Sequence, residues 1–384
     1  MKALFVLHEG IFIYGANRSI TGVLQNIEYD YDLLVCKSFT RKADEEELRR
    51  LLGSHLKNIY TVWMPRYRCQ YYDKVSLFSE CSHIVNNIMA FFCKGKRIRM
   101  IRQGGYDYVH LNSLVLFPII DGNARYVVHA REIINPQYRR IGQFVKALER
   151  AAGIIYIDEA TRMPIEAVMR NKRSMVLNNP FDMTWVANTD YEDSLKKCGV
   201  TQENTVFAML GQVGDNKGSK FVLRSFMRHA NPNSRLLIVG NNNHAYGREC
   251  GKMTENDGRV IFCGEMKDTG SIYRISDYIL RGEPQFCIGR TIYEGLFAGA
   301  GAIIPGHEAD LERMQAGEEL RDKIHFFEPE SEESLAAVIQ ECSYVKQADR
   351  KFRSNIGHYM ERYNRFIDKV TGNTKKKQEK AERN

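Results

Sequence analysis

Two glutamates, Glu283 and Glu294, stand in the stretch "GEPQFCIGRTIYEGLFAGAGAIIPG" at 282–306, and Gly295, Gly299 and Gly301 follow the second. Ile292, Leu296 and Phe297 recur at offsets of four and five, so residues 291–300 are predicted as a short amphipathic helix and 302–304 as a buried strand. Glu294 then falls in the first helical turn. A carboxylate there complements the helix dipole, and a helix start behind Gly289 is also a place where free backbone N–H groups meet an anion. The plainer reading is an ordinary helix with an acidic first turn. A second candidate is His129 in "VVHAREI", at the carboxyl end of an apolar run. That is a functional position, although a lone histidine also serves as a structural hydrogen-bonding residue, and Arg131 and Glu132 beside it read equally as an ion pair.

These residues need a scaffold, and the chain supplies a repeating one. Strand-like runs alternate with helical patterns through "ALFVL", "RSITGVLQNI", "YDLLVC", "EEELRRLLGSHL", "IYTVWM", a long helical region at 75–102, "YDYVHLN", "RYVVHARE", "RIGQFVKALERAA" and "GIIYID". Such alternation marks a doubly wound parallel sheet. Asn178, Asn179 and Pro180 break it, and a second series follows from "TVFAMLGQVG" to "SDYIL". The polar stretch around "WVANTDYEDSL", 182–203, reads as a linker. The expected organisation is α/β: a Rossmann-like domain over 1–185, a second over 186–355, a crossover helix at 356–372 and a basic disordered tail at 373–384. Two such domains would face each other across a cleft at the carboxyl ends of their strands, where ligands of this architecture bind. The C-terminal helices would pack back over the N-terminal domain.

Of the 384 residues 43% are hydrophobic, enough for two proper cores. The nine cysteines are odd in number and form no CxxC pair, which argues against a disulfide framework and against a zinc site. The apolar run Ala3–Leu7 suits a first buried strand and is too short for the core of a signal peptide. No run approaches the roughly 18 apolar residues of a membrane span. The expectation is a cytoplasmic protein that meets the inner membrane face peripherally at most. Residues 66–108 hold eight Lys/Arg against three Asp/Glu and the last ten residues hold five against two, which together make up the whole net charge of +8. The first of these segments mixes aromatic with basic residues, Lys96, Arg97 and Arg99 among them. It reads either as an amphipathic helix with a basic face or as a surface for anionic lipid or a phosphorylated acceptor. With the excess so confined and no recognition module in sight, nucleic acid is not an expected partner.

The order of motifs resembles the family 4 glycosyltransferases, retaining enzymes of GT-B architecture, from Gly15 to about Pro305. "IYGANRSITGVL" is similar to that family's glycine-containing first loop and helix, which implies that Gly15 lets the backbone approach the donor. "VVHAREI" resembles the strand and loop beside the transferred sugar, which gives His129 a catalytic place. "MVLNNPFD" resembles the segment that ends the first domain. "MLGQVGDNKGSKFVLRSF" resembles the strand, loop and helix whose basic pair holds the donor diphosphate. Lys217 matches the lysine of that pair, and Gln212 stands where the arginine often is. "IGRTIYEGLFAGAGAIIP" is similar to the second half of the family's Glu-x7-Glu motif, which places Gly289, Arg290 and Thr291 at the donor and gives Glu294 the ribose hydroxyls. The first glutamate of that motif falls on Phe286, so either Glu283 replaces it from a bulged loop or the sugar is held differently.

What the resemblance implies is a metal-independent hexosyltransferase with no cofactor beyond its donor substrate. It would move a sugar, with retention, from a nucleotide diphosphate sugar to a glycan or lipid-linked acceptor hydroxyl, as in the synthesis of cell-surface polysaccharide. Two rivals share the architecture: a nucleotide-sugar epimerase, which needs no acceptor, and a non-catalytic binding subunit, which Gln212 and Phe286 together would suit.

Overall fold

The computed structural model describes residues 1–8, 15–37, 45–63, 77–134, 141–169, 173–266, 268–284, 286, 288–314, 317–347 and 350–373. The expected basic tail lies outside the described residues except for Asn373, as do residues 66–76 of the basic segment and 11–14 of the first glycine-containing loop. The chain forms two compact units, Met1–Pro180 together with the stretch from Ile356, and Phe181–Asn355.

Seven strands build the sheet of the first unit: β1 (Ala3–Leu7), β2 (Tyr31–Lys37), β3 (Leu56–Trp63), β4 (Tyr108–Leu111), β5 (Tyr126–Ala130), β6 (Gly153–Tyr156) and β7 (Ser174–Val176). They are all parallel, in the order β3-β2-β1-β4-β5-β6-β7. Six more build the sheet of the second: β8 (Thr205–Leu210), β9 (Ser234–Val239), β10 (Val260–Gly264), β11 (Tyr278–Leu280), β12 (Gly301–Pro305) and β13 (Ile324–Phe327), in the order β10-β9-β8-β11-β12-β13. Both orders reverse direction once, between β1 and β4 and between β8 and β11. Connections leave the sheet to opposite faces there, so a crevice opens at the carboxyl ends of those strands.

The connecting helices of the first unit are α1 (Gly15–Leu24), α2 (Glu45–Leu52), α3 (Leu77–Gln103), α4 (Ile141–Leu148) and α5 (Glu159–Glu166). Those of the second are α6 (Tyr191–Cys198), α7 (Ser219–His229), α8 (Ala245–Met253), α9 (Gly270–Ile275), α10 (Arg290–Phe297), α11 (Glu318–Arg321) and α12 (Glu332–Cys342). The final helix, α13 (Ile356–Thr371), returns to the first unit.

Two sequence expectations are corrected. The polar stretch 182–203 is not a linker but a 3-10 turn at Thr184–Asn188 followed by α6. The Asp190 carboxylate caps α6 by accepting from the Asp193 N–H, and Gly199 ends it in the left-handed region. Its polar residues are simply the solvent side of a helix that buries Leu195 and Cys198. In α3, Arg97 belongs to no basic surface, being 2% exposed, whereas Lys96 and Arg99 are exposed.

α13 closes the first unit by laying Tyr359, Tyr363, Phe366, Ile367 and Val370 against Phe5, Tyr31, Tyr108, Val127 and Ile155. The Tyr363 hydroxyl reaches the Tyr108 hydroxyl at 3.3 Å and His110 Nδ1 at 3.0 Å, so the polar tips of Tyr363 and Tyr108 are satisfied within the layer. Gly153 on β6 makes the approach possible, because a Cβ there would lie 2.8 Å from both Phe366 and Val370. We expect Gly153→Ala to overpack this layer and lower the unfolding free energy by about 1–3 kcal/mol. Urea denaturation checks this, and an unchanged midpoint would show that α13 is not tightly seated.

Candidate functional site

The switch point of the second sheet carries most of the expected residues. β8 runs out through Gly211 into Gln212 and Val213, a 3-10 turn follows at Asp215–Lys217, and α7 begins after Gly218. From the neighbouring β11 the chain continues directly into Arg281, Gly282 and Glu283. The two loops touch backbone to backbone. Gly218 has φ +63°, and a Cβ on it would lie 1.6 Å from the Gly282 carbonyl oxygen. No other residue type fits such a contact.

That contact brings charges together. The Lys217 ammonium donates to the Glu283 carboxylate at 3.2 Å, and Arg281 Nε donates to both oxygens of the same carboxylate at 2.9 and 3.0 Å. A second guanidinium nitrogen also meets that carboxylate, while Nη1 donates to the Thr291 hydroxyl at 3.1 Å. Burial pushes the Glu283 carboxyl up, but Arg281 and then Lys217 more than offset this and hold it below the ordinary glutamate value. Glu283 is therefore an anion between two cations. Gly289, the N-cap of α10, leaves room for the guanidinium, since a Cβ there would lie 2.6 Å from Arg281 Nη1. Gln212, Lys217, Ser219 and Arg281 all line one tight crevice with Gly211 and Ile238, too narrow for a water molecule.

Glu294 is placed differently from the sequence expectation. α10 starts at Arg290 with no acid in its first turn, so Glu294 lies one turn further on and is buried, 2% exposed. It accepts from the Tyr273 hydroxyl at 2.6 Å and from Arg290 Nε one helical turn back at 2.8 Å. The Arg290 guanidinium lies over the Phe181 ring, which itself stacks on Tyr293. A dipole-complementing surface acid is thereby excluded. Phe286 does not present a polar group: its ring packs on the core of the second unit under the Arg313 guanidinium, 4.6 Å away.

The first unit holds Gly15, at the start of α1, and His129, fully buried on β5. Arg131 approaches His129 Nδ1 at 3.2 Å and donates from Nε to Asn112 at 2.9 Å. His129 Nε2 has no hydrogen-bonding partner among the described residues. Glu132 accepts from the Ser113 hydroxyl and from the backbone N–H groups of Leu114 and Arg131, at 3.0 and 3.1 Å for the latter two. Its pKa is raised, chiefly by burial.

Sequence reasoning passed over Arg281 and Tyr273. "YILRGE" did contain a signal for the first, an arginine placed at the very end of an apolar strand and two residues before an acid. Nothing local marks Tyr273, which meets Glu294 only through the packing of α9 against α10.

No family model matches the chain and no curated protein matches it. Solved structures do share its fold. HepE of Anabaena, solved with UDP and glucose, has a TM-score of 0.67 at 16% identity over 99% of each chain. A glycosyltransferase from Rickettsia africae has a TM-score of 0.65 at 14% identity, covering 97% of this chain and 93% of its own. Sucrose-phosphate synthase from Thermosynechococcus elongatus has a TM-score of 0.63 at 12% identity, covering 99% and 98%. At these identities the likeness is one of fold. The chain has the two parallel-sheet α/β domains of the GT-B glycosyltransferases.

Buried neutral histidines make stability depend on pH. Burial, reinforced by Arg131, lowers His110 to about 3 and holds His129 well below 6.5. The unfolded imidazoles bind protons below about 6.5 and the folded ones do not, so stability is complete above that pH and declines as pH falls. Between pH 7 and pH 5 His110 should cost about 2 kcal/mol, and His129 adds to the loss in the same direction. Urea denaturation of wild type and of His110→Gln and His129→Gln at both pH values checks this. Each variant should show a shallower decline, and an unaltered slope would mean that the histidine is accessible to protons when folded.

Proposed function

We propose that the chain is a retaining glycosyltransferase that transfers a sugar from a nucleotide diphosphate sugar to an acceptor hydroxyl. The observation that carries this reading is the cluster at the β8/β11 switch point, where Lys217 and Glu283 meet and Arg281 reaches Thr291 at the start of α10. Likeness of fold to HepE, solved with UDP, and to sucrose-phosphate synthase supports it. Lys217 is the group that faces the diphosphate, Gly289, Arg290 and Thr291 bring the helix start to the nucleotide, and the Glu294 carboxylate takes the ribose hydroxyls. His129 serves the transferred sugar, and its unshared Nε2 supports that role. In the reaction the bond from the anomeric carbon to the phosphate oxygen breaks while the acceptor oxygen bonds to the same carbon on the same face. The acceptor proton ends on the departing diphosphate. The protein positions the groups and neutralises developing charge, so paired carboxylates at glycosidase spacing are not required. The position of Phe286, covered by Arg313, favours a second reading as a binding subunit without turnover. Incubation with UDP-glucose and candidate acceptors separates the two.

Thermal shifts with UDP, GDP, dTDP and their sugars test the donor. A ligand at about 100 times its Kd should stabilise the fold by roughly 2.7 kcal/mol. Losing a carboxylate that bridges two ribose hydroxyls should cost about 1.5–3 kcal/mol, so Glu294→Ala is expected to weaken nucleoside diphosphate binding roughly 10- to 150-fold in calorimetric titration. Wild-type affinity in that variant would remove Glu294 from the nucleotide site.

The acceptor belongs to the first unit on this reading, and a lipid-linked acceptor at an anionic membrane face is supported by α3. Ile84, Val85, Ile88, Phe91 and Phe92 are exposed on consecutive turns, Phe92 to 78%. Exposed Lys96 and Arg99 follow within two turns. Apolar side chains below a basic collar suit the headgroup boundary of an anionic bilayer. Burying one phenylalanine is worth about 1.5–3 kcal/mol, so Phe91→Ser with Phe92→Ser should cut partitioning onto phosphatidylglycerol vesicles at least about tenfold and leave nucleotide binding alone. Equal sedimentation with vesicles would remove the membrane from the account.

A further inference from the structure

We infer that Arg281 is the second diphosphate-binding cation of the donor site, supplying from β11 the charge that Gln212 does not supply from β8. This rests on the sugar-nucleotide reading above and adds to it a residue and a division of labour. The diphosphate of a sugar nucleotide carries two negative charges, which grow when it leaves. Lys217 alone answers them on the β8 side, because Gln212 can donate a hydrogen bond but holds no charge.

Arg281 lines the same tight crevice as Gln212, Lys217 and Ser219, which is closed to water and must widen to admit phosphate. It sits at the carboxyl end of β11, on the other side of the switch point from β8, so the two cations flank the crevice where the strand order reverses. Its side chain is only 5% exposed and is pinned by Glu283 and by the Thr291 hydroxyl, so little freedom remains to be lost when an anion arrives. A planar guanidinium held in this way keeps its geometry for phosphate oxygens better than a mobile ammonium does. Glu283 has a complementary part. A buried guanidinium without an anion is costly, and the carboxylate neutralises it until phosphate oxygens share or take over its place. Glu283 is then a positioning residue that works through Arg281 and Lys217. Gly289 fits the same picture, since any larger residue would strike the guanidinium.

The competing explanation is that Arg281 and Glu283 form a buried pair that only fixes two loops. The two accounts separate in binding of a diphosphate compared with binding of a bare nucleoside. Calorimetric titration with UDP and uridine, and with GDP and guanosine in parallel, should be run on wild type, Arg281→Gln and the double variant Gln212→Arg/Arg281→Gln. Loss of a charge-assisted contact predicts a roughly 10- to 150-fold loss of diphosphate affinity in Arg281→Gln with nucleoside affinity unchanged. Returning the charge at position 212 should recover at least about tenfold of that loss, which a purely structural role would not allow. If Arg281→Gln does not fold, Arg281→Lys keeps the charge beside Glu283 and should still bind the diphosphate several-fold more weakly. Wild-type diphosphate affinity in either folded variant overturns the inference while leaving the sugar-nucleotide reading intact. Failure of wild type to bind any of UDP, GDP or dTDP overturns that reading itself.

Discussion

One carboxylate held between two cations organises the second unit. Glu283 accepts from Lys217 on the loop after β8 and from Arg281 on the strand end after β11, and the backbones of those loops meet at Gly218 and Gly282. Buried ion pairs are poor sources of net stability, because desolvating the charges costs about as much as their attraction returns. What they supply is definition. Removing one partner leaves an uncompensated charge, so the loops have one arrangement and not several, and Arg281 ties that arrangement to α10 through the Thr291 hydroxyl. Glu294 lies one turn into α10 and is held separately, by Tyr273 and Arg290.

Much of this fold was legible because buried parallel strands are written as short apolar runs and the helices between them carry their own period. Strand positions through "ALFVL", "YVVHA", "TVFAML" and "GAIIP" follow from that alone. The order of strands does not, since pairing is decided by which crossovers pack. Polarity misled at 191–198, where the solvent side of α6 reads as a linker because only Leu195 and Cys198 of its longer side chains turn inward. It misled again at Arg97, since a basic residue in a basic run gives no local sign that the helix will bury it.

The candidate site was legible in part for a related reason. Lys217, Glu283 and Glu294 stand beside glycines that mark close backbone approach, and glycine is visible in a sequence. The partner of a charge is not. Arg281 is two residues from Glu283 and still reads as an ordinary strand end, and Tyr273 is twenty-one residues from the carboxylate it donates to. Glu294 was assigned to a first turn because the helix was drawn one residue too late. Arg290 begins it, and the Arg290–Glu294 pair spans a full turn that the sequence pattern did not reveal.

The central claim is that the charges at the β8/β11 switch point exist to receive a nucleoside diphosphate. A crystal structure of the chain soaked with UDP tests it most directly. The account predicts phosphate oxygens within hydrogen-bonding distance of Lys217 and Arg281, with the ribose hydroxyls on Glu294. A nucleotide bound elsewhere, with Glu283 still holding both cations unchanged, would contradict it.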